Sequence, residues 1–185
     1  MMLSDTSRSA GCMRRIDSVY IAWNAVIVGD VTIGEDTNIW PFVCARGDVA
    51  AIRIGRRCSI QDQAMLHCQN RVPLIIGDDV IVGHQACVHC QSVGDRTLIG
   101  IGARVLDQCE IGCDCLIAAG AVLRPGTVVP DGSMVAGVPG KIIRPVTDAD
   151  RQYHGDVISR YIELAKAHCD GRFSPIPSPK SGAVV

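Results

Sequence analysis

The sequence predicts an all-β solenoid followed by one C-terminal α-helix. Three observations carry this. An aliphatic residue recurs every six positions, a small residue sits four places after each, and the spacing turns helical after residue 147. The beat is clearest at Val93, Ile99, Val105, Ile111, Ile117, Leu123 and Val129. Thr97, Ala103, Cys109, Cys115, Ala121 and Thr127 hold the small-residue place. Gly94, Gly100, Gly112 and Ala118 directly follow an aliphatic. Upstream the beat returns at Ile27, Ile33 and Ile39, then Ile54, Ile60 and Leu66, then Ile76, Val82 and Val88. A period of six fits neither a helix near 3.6 nor a strand of 2. It fits a coil in which each hexad is one short strand plus a corner, the aliphatic facing a narrow core.

The elements follow in order. Residues 1–18 form an N-terminal segment, and the repeats run over about 19–135 within a β-helix domain of 19–146. The stretch 138–146, VPGKIIRPV, is a Pro/Gly-marked exit. Thr147 then reads as a helix N-cap, with Asp148 and Asp150 in the first turn. Val157, Ile158, Tyr161, Ile162, Leu164 and Ala165 give an amphipathic helix over 147–169. The Pro-, Ser- and Gly-rich stretch 170–185 is expected to be a flexible tail.

Composition narrows the function. The chain has 185 residues and net charge −1 with no basic stripe, which argues against nucleic acid as a partner. No apolar run approaches ~20 residues, so no membrane span is expected. The opening residues lack a secretory h-region. Ten cysteines without such a signal point to reduced thiols and a cytoplasmic location.

The hexad frame then places the histidines. His67 follows Leu66 and His89 follows Val88, 22 residues later. Leu66 and Ile76 are ten apart instead of six, so four residues within 68–73 bulge out as a loop. Removing them leaves 18, one full coil, and the two histidines should stack at about the 4.8 Å strand spacing. His84 lies two after Val82, on the preceding hexad, and should point elsewhere on the triangle. In a cyclic trimer it could meet His67 and His89 of a neighbouring chain. Three neutral imidazoles with an open fourth position are the ligand set of a catalytic zinc, Zn2+, and would also accept Fe2+ or Co2+. Such a cation lowers the pKa of bound water to about 7.

With these residues in place the chain resembles the γ-class carbonic anhydrases, hexapeptide-repeat proteins with a left-handed parallel β-helix. The matching segments are Arg46, Gly47, Asp48; then Gln61, Asp62; then His67; then Gly83, His84; then His89. The resemblance implies a homotrimer with three interfacial metal sites and the reversible hydration of CO2 to bicarbonate. His67 and His89 would come from one subunit and His84 from the next. Gln61 would hydrogen-bond solvent or substrate, while Arg46, Asp48 and Asp62 would order the interface around the ligands. Two positions differ from the best-studied members: Val49 stands where they carry Glu, and 68–73 has no carboxylate where they carry an acidic loop. A proton exit must then lie elsewhere.

Other readings accompany this one. The same metal could cleave an acyl-coenzyme A thioester if a cleft beside the site takes a pantetheine arm, or the trimer could be a non-catalytic scaffold. His84 alone could be a general base, as in hexapeptide acyltransferases, which leaves His67 and His89 without a role. The segment 135–141, VAGVPGK, is similar to the coenzyme A-contacting end of such enzymes and equally marks the exit from the coil. The Arg-Gly-Asp run reads as an ion pair and not an adhesion motif. Cys87 and Cys90 spell C-x-x-C, but the frame puts Cys58, Cys109 and Cys115 in the core and Cys87 and Cys90 at solvent-facing bends. Cys68, beside His67, is the thiol expected to be open to oxidation. His154 and His168 are expected to be solvated or packing residues of the helix.

Overall fold

The computed structural model describes residues 12–173; the flexibility expected for the tail falls largely outside them. The chain is a left-handed parallel β-solenoid of about six coils with a single helix, α1 (Asp148–Cys169), at its C-terminal end. Three columns of aliphatics build the core, one per face. The first face stacks Ile21, Ile39, Ile60, Val82, Ile99, Ile117 and Val135. The second stacks Ile27, Ala45, Leu66, Val88, Val105 and Leu123. The third stacks Ile33, Ile54, Ile76, Val93, Ile111 and Val129. Every member from Ile39 onward is buried, Ile21, Ile27 and Ile33 of the first coil are partly so, and Ala103, Cys109, Cys115 and Ala121 fill the corners behind them.

From Ile33 onward, each regular six-residue corner turns on a residue three places after the core aliphatic, held in the left-handed region. Glycine serves at Gly102 and Gly120, with φ of +65° and +67°. Glycine also serves at Gly126 and Gly132, and elsewhere non-glycine side chains hold this position, some stacking between coils as partners, among them Arg57 on Asp79, Arg96 on Asp114 and Gln63 on Gln85. The backbone cost of a left-handed residue is thus shared with a column of hydrogen bonds.

The irregular coils are irregular at one corner only, between the second and third faces. Ala45 to Ile54 takes nine residues, Leu66 to Ile76 ten and Val88 to Val93 five, against six elsewhere in these columns. The two insertions lie one above the other, with the Arg71 N–H reaching the Val49 carbonyl. His67 and His89 open this corner.

The ends are closed by antiparallel strands. Met13–Ile16 pairs with Val19–Ala22, and Lys141–Pro145 with Ser133–Ala136. They cover both edges of the first face, where an unpaired row of N–H and C=O groups would otherwise invite another chain. Helix α1 begins at Thr147 with a capping box shared with Asp150. It packs on the first coils through Ala165, Met13, Tyr20, Ala22 and Trp40. Among the described residues no helix is long and apolar enough to cross a membrane.

Two cysteine expectations change. Cys68 is buried, its thiol donating inward to the Ala50 carbonyl at 3.1 Å, because the inserted loop above it is closed by the neighbouring insertion. Cys90 is also buried, since the shortened corner from Val88 to Val93 turns it inward toward the Ser92 carbonyl. Burial pushes both thiols up, as it does Cys58, to about 12. Cys87 remains half-buried.

Candidate metal centre

His67 closes the strand Met65–His67, and His89 follows Cys87–Val88 in the next coil, paired with Leu66 beneath Val88. The strand ladder therefore delivers two imidazoles to one corner. Their rings lie 5.0 Å apart, with His67 Nδ1 3.0 Å from His89 Nε2. Each far nitrogen meets a carboxylate. His67 Nε2 lies 3.1 Å from Asp48, and His89 Nδ1 is in short contact with Asp107.

Asp48 is placed by the Arg-Gly-Asp run. Gly47 has no room for a side chain, since a Cβ there would lie 2.5 Å from the Asp30 carbonyl oxygen. Arg46 and Asp48 leave the strand on the same side and pair with one another. Desolvation pushes the Asp48 carboxyl up, and hydrogen bonds from Arg46 and His67 more than offset it, holding it below the ordinary carboxylate range.

These contacts fix tautomers. With Nε2–H of His67 donated to Asp48 and Nδ1–H of His89 donated to Asp107, the two facing nitrogens carry lone pairs. Two lone pairs at 3.0 Å need a proton or a cation between them. A tetrahedral zinc, with Zn–N of ~2.0–2.1 Å, sets its nitrogens ~3.4 Å apart, a few tenths from what is present. Carboxylates behind the imidazoles are the usual support of metal-binding histidines. The donor set fits a divalent metal.

His84 stands at a different corner, between the first and second faces. Its coil neighbour is Asp62, whose carboxylate lies 2.9 Å from His84 Nδ1. Tyr161 on α1 donates its hydroxyl to His84 Nε2 at 3.1 Å, and Trp40 meets Tyr161 edge-on at 5.3 Å. Gln61 is buried on the same corner. The structure thus brings His67, His89, Arg46 and Asp48 together and, separately, His84, Asp62 and Gln61. Among the described residues, no three metal-ligating side chains converge within the single chain.

A groove of about 230 Å³ runs from His84 between α1 and the first face. Its walls are Ile81, Leu98, Ile101, Tyr153 and Val157, with Arg160 as its cation. Asp107 and Tyr161 are the two partners that the sequence reading missed. Asp107 lies 18 residues after His89, the same coil period that stacks the histidines, and was findable. Tyr161 reads only as an apolar helix position; its contact to His84 depends on how α1 docks.

No family model matches the chain. It is 42% identical over 146 residues to the carbonic anhydrase of Geobacillus kaustophilus, covering 79% of this chain and 80% of that protein. The chain belongs to the γ-class carbonic anhydrase family. It is also 35% identical over 163 residues to gamma carbonic anhydrase 1, mitochondrial, of Arabidopsis thaliana, covering 85% of this chain. The chain spans only 59% of the length of that plant relative. Among solved structures, a hexapeptide transferase family protein from Anaplasma phagocytophilum superposes with a TM-score of 0.78 at 33% identity, covering 83% of this chain and 90% of that one. The chain thus shares its solenoid with a hexapeptide transferase family protein.

Proposed function

We propose that this chain is a γ-type carbonic anhydrase that hydrates CO2 reversibly to bicarbonate at a divalent metal, zinc or else iron(II) or cobalt(II). The metal would sit between subunits of a homotrimer, held by His67 and His89 of one chain and His84 of the partner subunit. The observation that carries this reading is the pair of facing imidazole nitrogens at 3.0 Å, each ring backed by a carboxylate. When bound, the metal supplies Lewis acidity that brings the pKa of water toward ~7.

The chain's own residues do the rest. Asp48 and Asp107 hold the imidazole protons away from the metal side, and Arg46 keeps Asp48 ionised and in place. Asp62 holds the proton of His84 on Nδ1, leaving Nε2 as the donor atom. In the single chain Tyr161 occupies that atom; binding a metal requires the hydroxyl to give way, and Gln61 alongside would orient substrate. With no carboxylate in 68–73, Asp107 and Asp48 are the acidic groups nearest the pair.

The test is stopped-flow CO2 hydration by the metal-loaded protein, zinc or anaerobic iron(II), beside His84→Ala. Activity in the parent and its loss by about 100-fold or more in His84→Ala is expected. A metallated protein without activity above background overturns the reading.

The groove beside His84 favours one second reading. At 230 Å³ with apolar walls and Arg160, it suits an extended acyl or pantetheine chain carrying an anionic end. On that reading the same centre hydrolyses an acyl-coenzyme A thioester. Turnover of short-chain acyl-coenzyme A thioesters, lost in Ile101→Trp while CO2 hydration persists, would support it.

A further inference from the structure

We infer that Cys12 and Cys169 form a redox-active dithiol, with His168 as its base, that latches the start of the solenoid to the end of α1 when oxidised by a peroxide. Cys12 immediately precedes the strand Met13–Ile16, and Cys169 is the last residue of α1. They are 157 residues apart in sequence, yet both pack against the cluster of Met13, Tyr20, Trp40 and Ala165. The Cys12 thiol lies 3.2 Å from His168 Nδ1, and Cys169 is the next residue of the chain. His168 is held edge-on to Trp40 at 5.5 Å and lies 4.8 Å from the ring of Phe173. Both thiols are half-buried and within reach of a small oxidant, unlike Cys58, Cys68, Cys90, Cys109 and Cys115.

Burial keeps both thiols protonated at rest, so the proton has to be taken by a base as the sulfur attacks. Desolvation raises Cys12 and Cys169, and a charge on Cys12 adds to the rise of Cys169; their placement side by side rests on the shared packing cluster and on the Cys12–His168 contact. Desolvation lowers His168, so the imidazole is neutral, and its Nδ1 is already within hydrogen-bond distance of the Cys12 thiol. The step balances. The Cys12 proton passes to His168 Nδ1 while its sulfur attacks one oxygen of hydrogen peroxide. The O–O bond breaks, and the departing hydroxide takes the proton back and leaves as water. Cys169 then attacks the sulfenic sulfur of Cys12, the S–O bond breaks, and a second water leaves with the Cys169 proton. Two thiols and one peroxide give one disulfide and two waters.

The latch rests on contacts remote from the facing His67 and His89 pair, so its test needs no activity. The purified full chain is treated with stoichiometric hydrogen peroxide, alkylated, digested without reductant and mapped by mass spectrometry. A peptide joining Cys12 to Cys169 within one chain is expected. Its formation should raise the melting temperature by several degrees, reversibly with dithiothreitol, and Cys169→Ser should abolish both effects. His168→Gln should give the same peptide about tenfold more slowly. Sulfinic acid at Cys12 without the cross-link, a cross-link between other cysteines or between chains, or an unchanged rate in His168→Gln would overturn the assignment in whole or in the role given to His168.

Discussion

Asp107 shows what a single side chain contributes to the centre without touching a metal. It holds the Nδ1 proton of His89, and thereby leaves Nε2 bare opposite His67. Asp107→Asn keeps the shape and removes the charge-assisted hydrogen bond, so the ring is free to turn or change tautomer. Zinc affinity is expected to fall by about 10–100-fold, measured by competition with a chromophoric chelator, while the melting temperature stays close to the parent's because the side chain is 48% exposed. Unchanged affinity would mean that His89 is oriented by something other than Asp107. The histidines themselves were legible in the sequence, since one loop of four residues separates their 22-residue spacing from a coil of 18. The carboxylate pairing was half legible. Asp48 sits in a conspicuous Arg-Gly-Asp run, whereas Asp107 is an unremarked residue between Leu106 and Gln108.

At the scale of elements, α1 begins where its cap chemistry says it should. Thr147 accepts from the Asp150 N–H at 3.2 Å, and Asp150 reaches back to the Thr147 N–H at 2.8 Å. Arg144 grips the same carboxylate, and with Thr147 it holds Asp150 far below the ordinary range. A carboxyl depressed in the fold stabilises it above the unfolded value of ~3.9 and loses that contribution as pH falls through the folded value. Asp150→Asn should therefore lower the melting temperature at pH 7, and the gap between variant and parent should close as the pH drops below about 4. Thr147→Ala should cost about 1 kcal/mol in urea unfolding at neutral pH. The cap and the helix were readable because they use local chemistry. The closing strand Met13–Ile16 was not: it runs antiparallel, outside the hexad repeat, and is specified by its pairing with Val19–Ala22. The shortened corner at Cys90 escaped for a related reason, because one missing residue shifts a side chain from bend to core without disturbing the aliphatic beat on either side.

On the scale of the molecule, Trp40 is central to the contact between the start of the solenoid and the end of the helix. It is buried, meets Tyr161 and His168 edge-on, and donates its indole N–H to Asn38 at 2.6 Å. Coils of a solenoid contact only their neighbours, so stability adds coil by coil instead of being shared by the whole. Damage at Trp40 should then stay near the first coils and α1. Trp40→Ala should cost about 3–5 kcal/mol locally, seen by hydrogen exchange as faster exchange of amides in 148–169, while amides of the later coils, 98–129, keep their protection. The same variant should release Tyr161 from His84, which shifts the His84 imidazole resonances. Uniform loss of protection across 98–129 would instead show that helix and solenoid unfold as one unit. The position of Tyr161 on His84 would then be a property of the whole fold and not of this one contact.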